Sequence, residues 1–121
     1  MGKISTFRNL MAWQKAMELS KVIYRATQSM PADEKFGLTL QMRRASVSVP
    51  SNIAEGYGRQ LPADFCKFRR NSRGSLNELT TQYQLAWEME MIPRSQQIID
   101  LIEEVDRILQ GLIRSVERRR S

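Results

Sequence analysis

At 121 residues, 41% of them hydrophobic and 26% charged, the chain is long enough for one packed domain, taken as 1–121, with little left for a second. Nineteen Lys and Arg against thirteen Asp and Glu give a net charge of +6, which suits contact with polyanions as well as plain solubility. No apolar run reaches the about 20 residues that span a bilayer, the single Cys66 cannot close an internal disulfide, which points to a reducing cytosol, and the absence of histidine removes His-based triads and His metal sites.

The first predicted helix covers about 8–29. Ala12, Ala16, Leu19, Ile23, Ala26 and Met30 form one seam, and Leu10, Trp13, Met17, Ser20 and Tyr24 form a second beside it. Lys15, Glu18, Lys21, Arg25 and Gln28 make the opposite, wet stripe. Two adjacent apolar seams call for two helical neighbours, as in a bundle.

The second helix, about 38–57, carries the densest information. Leu38, Met42, Ala45, Val49, Ile53 and Gly56 recur every three or four residues on one face. A polar stripe of Gln41, Arg44, Ser48, Asn52 and Glu55 is equally periodic. Buried polar groups must be paired, so Gln41, Ser48, Asn52 and Glu55 are expected in a structural network or a helix–helix or subunit interface. Pro50 lies inside this pattern and predicts a kink, with Ser46 and Ser48 satisfying freed carbonyls; the alternative is a stop near Val49 and a restart at Pro50.

The third helix, about 62–90, buries Phe65, Phe68, Ser72, Leu76, Leu79, Tyr83 and Ala86, and its Gly74-Ser75 pair predicts a close helix crossing. The fourth, about 95–117, presents Ile98, Leu101, Ile102, Val105, Ile108, Leu109, Leu112 and Val116 to a core, turns Glu103, Glu104, Asp106 and Arg107 to water and ends in the basic run 118–120. Short connections force antiparallel neighbours. The expected fold class is therefore all-α, an antiparallel up-down-up-down four-helix bundle with a Pro-kinked second helix.

No catalytic constellation is visible. Glu88 and Glu90 are two apart and face different ways, Gly56-Tyr57-Gly58 follows a helix and is too short for a phosphate loop, and Cys66 has no partner base. No catalytic residue, cofactor or metal is expected. The feature that points to a ligand is basic: Arg43, Arg44, Arg59, Lys67, Arg69, Arg70 and Arg73 fall on the second and third helices and the loop between them. Forked guanidiniums suit phosphate, while the absence of interleaved aromatics argues for backbone contact with weak sequence preference. The competing reading is a solvated face with ion pairs to acids such as Asp64 and Glu55.

Taken together, several pieces of this chain resemble the 23S rRNA intervening-sequence protein family. They are Leu10 with Ala12-Trp13-Gln14-Lys15-Ala16, Ile23-Tyr24, Pro31 with Glu34 and Gly37-Leu38, the whole run from Gln41 to Gly56, and Gly74-Ser75-Leu76 with Glu78-Leu79 and Thr81-Gln82. The resemblance extends over about 7–115. It implies an antiparallel four-helix bundle assembled as a homopentamer. A related branch, the accessory variability protein of diversity-generating retroelements, is a basic pentamer that binds a reverse transcriptase and nucleic acid, so self, RNA or DNA, and such a protein are the implied partners. Arg69, Asn71 and Ser72 depart from the more apolar family pattern, and Leu61 stands where a capping Ser or Thr is common, which makes the third helix more polar. The expected function is a non-enzymatic, cytoplasmic homo-oligomer binding nucleic acid through a basic surface. The alternative is a structural or protein-interaction module without direct nucleic-acid contact.

Overall fold

A computed structural model describes residues 6–59 and 62–120 of the chain. It is all-α. The helices are α1 (Met11–Ala26), α2 (Leu38–Tyr57), α3 (Pro62–Glu88) and α4 (Gln96–Arg120); a 3-10 turn at Phe7–Asn9 precedes α1, and two more, Thr27–Ser29 and Ala32–Glu34, lie between α1 and α2. Leu61 and the side chains of Val116 and residues 118–120 lie outside the described part.

Neighbouring helices meet in opposing register. Ser20 of α1 touches Ser46 of α2, whereas Thr27, two turns later, touches Arg43. Ser48 pairs with Ser75 across α2 and α3, and Val49 with Ser72. Asp106 of α4 meets Arg73, while the start of α4 at Ser95 meets Tyr83. Lys15 of α1 reaches Glu104 of α4 at 3.4 Å and closes the circuit. Beside Lys15, Glu104 raises the ammonium pKa above its usual 10.5, chiefly by hydrogen bonding. At the alkaline end that half-exposed pair therefore persists up to pH 10.5 and fades above it as the lysine loses its proton.

The seams read from the sequence enclose the core. Ala16, Leu19 and Ile23 face Met42, Val49 and Ile53, and Leu76, Leu79 and Tyr83 face Val105 and Leu109. Burial of these apolar faces, more than intrinsic propensity, holds the helices. Tyr83 is buried whole and its hydroxyl serves the α3–α4 turn, accepting from the Ser95 amide at 2.8 Å and donating to the Pro93 carbonyl at 3.3 Å.

Helix α2 continues through Pro50 as one element. Proline has no amide hydrogen, so the Ser46 carbonyl loses its normal partner. Neither serine expected to compensate does so: Ser46 Oγ donates to the Arg43 carbonyl, and Ser48 Oγ pairs with Ser75. The compensating donor comes from α1, where Ser20 Oγ lies 2.7 Å from the Ser46 oxygen.

At the Gly74-Ser75 pair it is the serine that meets a neighbouring helix, 2.8 Å from Ser48 of α2, while the glycine makes no close contact. A Cβ on Gly74 would meet nothing within 4 Å, but one on Gly56 would lie 2.8 Å from Phe68 Cβ. Gly74 is thus an exposed helical glycine that packs against nothing in the protomer. Gly74→Ala should raise stability by about 0.5–1 kcal/mol, read as a higher urea midpoint at unchanged slope.

Candidate nucleic-acid interface

The seven cations singled out by the sequence do not form one patch. Arg43 points to α1, where its guanidinium donates to Thr27 Oγ1 at 2.8 Å and to the Tyr24 carbonyl, and lies 4.8 Å from the Tyr24 ring centre. The Thr27 hydroxyl donates in turn to the Ile23 carbonyl, so Arg43 fastens the end of α1 to α2. Arg73 turns to α4 and grips both carboxylate oxygens of Asp106, at 2.8 and 3.4 Å. Arg69 is 6% exposed and engaged inside the protein; it continues the seam of Ser72, Leu76, Leu79 and Tyr83. The guanidiniums of Arg43 and Arg73 are committed to holding helices together, and that of Arg69 is buried.

Arg44 is exposed but sits toward the far half of α3, in a groove of about 330 Å³ with Gln41, Ser48, Ser75, Glu78 and Gln82. Gln82 Oε1 is buried there with no hydrogen-bond partner among the described residues. The polar stripe of α2 supplies much of this groove. Asn52 donates to both the carbonyl and the hydroxyl of Ser48, which meets Ser75 at 2.8 Å. Gln41 is exposed, and Glu55, a turn past Asn52, accepts from Arg59 at 2.8 Å.

Arg59, Lys67 and Arg70 lie exposed at the other end of the bundle. The Gly56–Phe68 crossing sets the spacing of α2 and α3 there. Arg59, held by Glu55, lies 5.2 Å from the Phe68 ring centre, next in sequence to Lys67. Lys67 and Arg70 are exposed at a three-residue spacing on one face of α3, and neither has an ion-pair partner among the described residues. The result is three exposed cations within a few turns at one end of the bundle, of which Arg59 is backed by the Phe68 ring and partly offset by Glu55. Such a cluster can hold adjacent phosphates and offers no shaped pocket for a base.

One feature escaped the sequence. The second seam of α1 is only partly covered: Trp13, Met17 and Tyr24 form, with Val47, Pro50 and Ala54 of α2, an apolar groove of about 640 Å³. Val47, 42% exposed and off the main stripe of α2, was the available signal. Among the described residues, no group of His, Cys, Asp and Glu is placed to hold a metal ion, and no helix is long and apolar enough to cross a membrane.

The sequence pattern described for 23S rRNA-intervening sequence protein matches residues 8–113 of the chain. No curated protein matches it.

Proposed function

Because the chain belongs to the 23S rRNA-intervening sequence protein family, we propose that it is a non-catalytic, homo-oligomeric helical bundle that holds RNA by its phosphate backbone at the α2–α3 end. The observation that carries this reading is that Arg59, stacked on Phe68, and the exposed Lys67 and Arg70, which have no ion-pair partner among the described residues, fall at the same end of the bundle. Arg43, Arg69 and Arg73 belong to the frame, and Arg44 lies apart from the contact. A buried lone Cys66 suits a reducing cytosol. The number of subunits that the family resemblance implies is five.

Counterion release gives the test. Three phosphates held on single-stranded RNA should give a log–log salt slope of about −2 per engaged protomer. Lys67→Ala with Arg70→Ala should bring the slope to about −0.7 with little dependence on sequence. Fluorescence anisotropy with an arbitrary labelled RNA over a salt series reads both. No binding at low salt would leave the alternative, an interaction module whose cations serve only its own fold and solubility.

A further inference from the structure

Several of the exposed large apolar side chains fall into two patches of opposite charge. One is the α1–α2 groove, where Tyr24 and Val47 are 44% and 42% exposed. Its rim carries Lys21 and Arg25, both exposed, and no acid lines it. The other is a ridge at the end of α3. Leu85 and Met89 are 51% and 60% exposed, one helical turn apart on the same face. Acids border it: Glu78 two turns earlier on that face, Glu88, which accepts from Gln84, and Glu90 in the turn that follows. Exposed cations at that end of the bundle include Arg44, Lys35 over the Phe36 ring, and Arg94, which lies over the Trp87 ring in the turn after the ridge.

We infer that the Leu85–Met89 ridge of one copy seats in the Trp13–Tyr24–Val47 groove of the next, with Glu88 and Glu90 meeting Lys21 and Arg25. It rests on the homo-oligomer part of the function proposed above, and it names the two surfaces involved. Three considerations select this occupant. The groove runs along two packed helices, which is the shape that accepts an amphipathic helix by its i and i+4 side chains. Pro50, Ser51 and Ala54 keep one wall low, so a second backbone can approach. The charges fit ridge to groove only: two grooves face to face would set Lys21 and Arg25 of both copies against one another, and two ridges would oppose their glutamates. The outer face of α4, with Asp100, Glu103 and Arg107 exposed, has the wrong polarity for the groove. A contact between two different patches repeats from copy to copy, closing into a ring where the rotation between copies allows it and running on as a filament where it does not.

Light-scattering mass on three surface variants tests this. Lys21→Glu with Arg25→Glu disables the groove and keeps the ridge; Leu85→Gln with Met89→Gln does the reverse, and Glu88→Lys with Glu90→Lys attacks the ridge without altering an apolar residue. Circular dichroism confirms that each stays helical. The wild-type chain should run as a multiple of the 14.1 kDa protomer. Each variant alone should fall to the protomer mass; an equimolar mixture of Lys21→Glu/Arg25→Glu with Leu85→Gln/Met89→Gln should give twice that mass and no more, while the charge-swapped pair with Glu88→Lys/Glu90→Lys should reassemble beyond it. Any of four results overturns the assignment. Variants that keep the wild-type mass show that the copies join elsewhere, while the homo-oligomer stands. A mixture that stays monomeric shows that ridge and groove do not meet, whereas one variant alone that still dimerises shows a contact between like surfaces. A monomeric wild type removes the homo-oligomer itself and leaves the groove to an acidic helix of another protein.

Discussion

Ser20→Ala should lower the stability of the fold by about 1–3 kcal/mol, the cost of leaving a buried carbonyl without a partner. The carbonyl is that of Ser46, fully buried and deprived of its intrahelical donor by Pro50. A hydroxyl has one proton to give. Ser20 Oγ lies 2.7 Å from the Ser46 oxygen and 3.1 Å from that of Ala16, which already sits within a regular helical turn. The effect depends on the proline. In a Pro50→Ala background the new amide at position 50 can donate to Ser46, and Ser20→Ala should then cost less than about 0.5 kcal/mol. The difference between the two backgrounds is the coupling energy, expected at about 1 kcal/mol or more from urea unfolding of the four chains. An equal cost in both would mean that Ser20 acts only by filling space.

Gly56→Ala should be comparably damaging, by about 1–3 kcal/mol, because it over-packs a close crossing. The added methyl would stand 2.8 Å from Phe68 Cβ and 3.5 Å from the Phe65 carbonyl oxygen. The nearest atom is the first carbon of the side chain, so no rotamer of Phe68 relieves it, and Phe68→Ala keeps the offending atom. The helices must separate. Arg59 on one side and Lys67 and Arg70 on the other would then move apart, so the variant should bind RNA more weakly and with a shallower salt slope than its loss of stability alone accounts for. Anisotropy titrations well below the melting temperature separate the two effects. Unchanged binding in a destabilised Gly56→Ala protein would mean that the cations do not work as one cluster.

Much of the fold can be read from spacing. Ala12, Ala16, Leu19 and Ile23, then Met42, Val49 and Ile53, then Leu76, Leu79 and Tyr83 are all buried, because a three-to-four repeat fixes a face whatever that face later meets. Side-chain partners are different. Nothing local in α3 says that Arg73 will find Asp106, thirty-three positions away, or that Arg43 will lie along the end of α1. Charge periodicity assigned these residues to a wet face, and long-range pairing withdrew them from it. Arg69 was legible in principle. It sits three before Ser72 and seven before Leu76, on the buried seam, but its charge outweighed its position. Ser20 was visible as a seam residue. Its task emerges only once α1 and α2 are known to meet opposite Pro50. The groove beside it was hidden for a similar reason: a seam predicts that something covers it and cannot say that part of the cover is missing.

Lysine reactivity probes the central claim, a phosphate-binding cluster at one end of the bundle, most directly. Lys67 and Lys35 are both exposed and lie at opposite ends, Lys67 beside Phe68 and Lys35 in the turn before α2. Acetylation followed by peptide mass spectrometry, with and without RNA at low salt, reports the two side by side. The account predicts that RNA protects Lys67 several-fold, that Lys35 stays as reactive as before, and that raised salt abolishes the difference. Equal reactivity of Lys67 with and without bound RNA, or protection of Lys35 in its place, would contradict it.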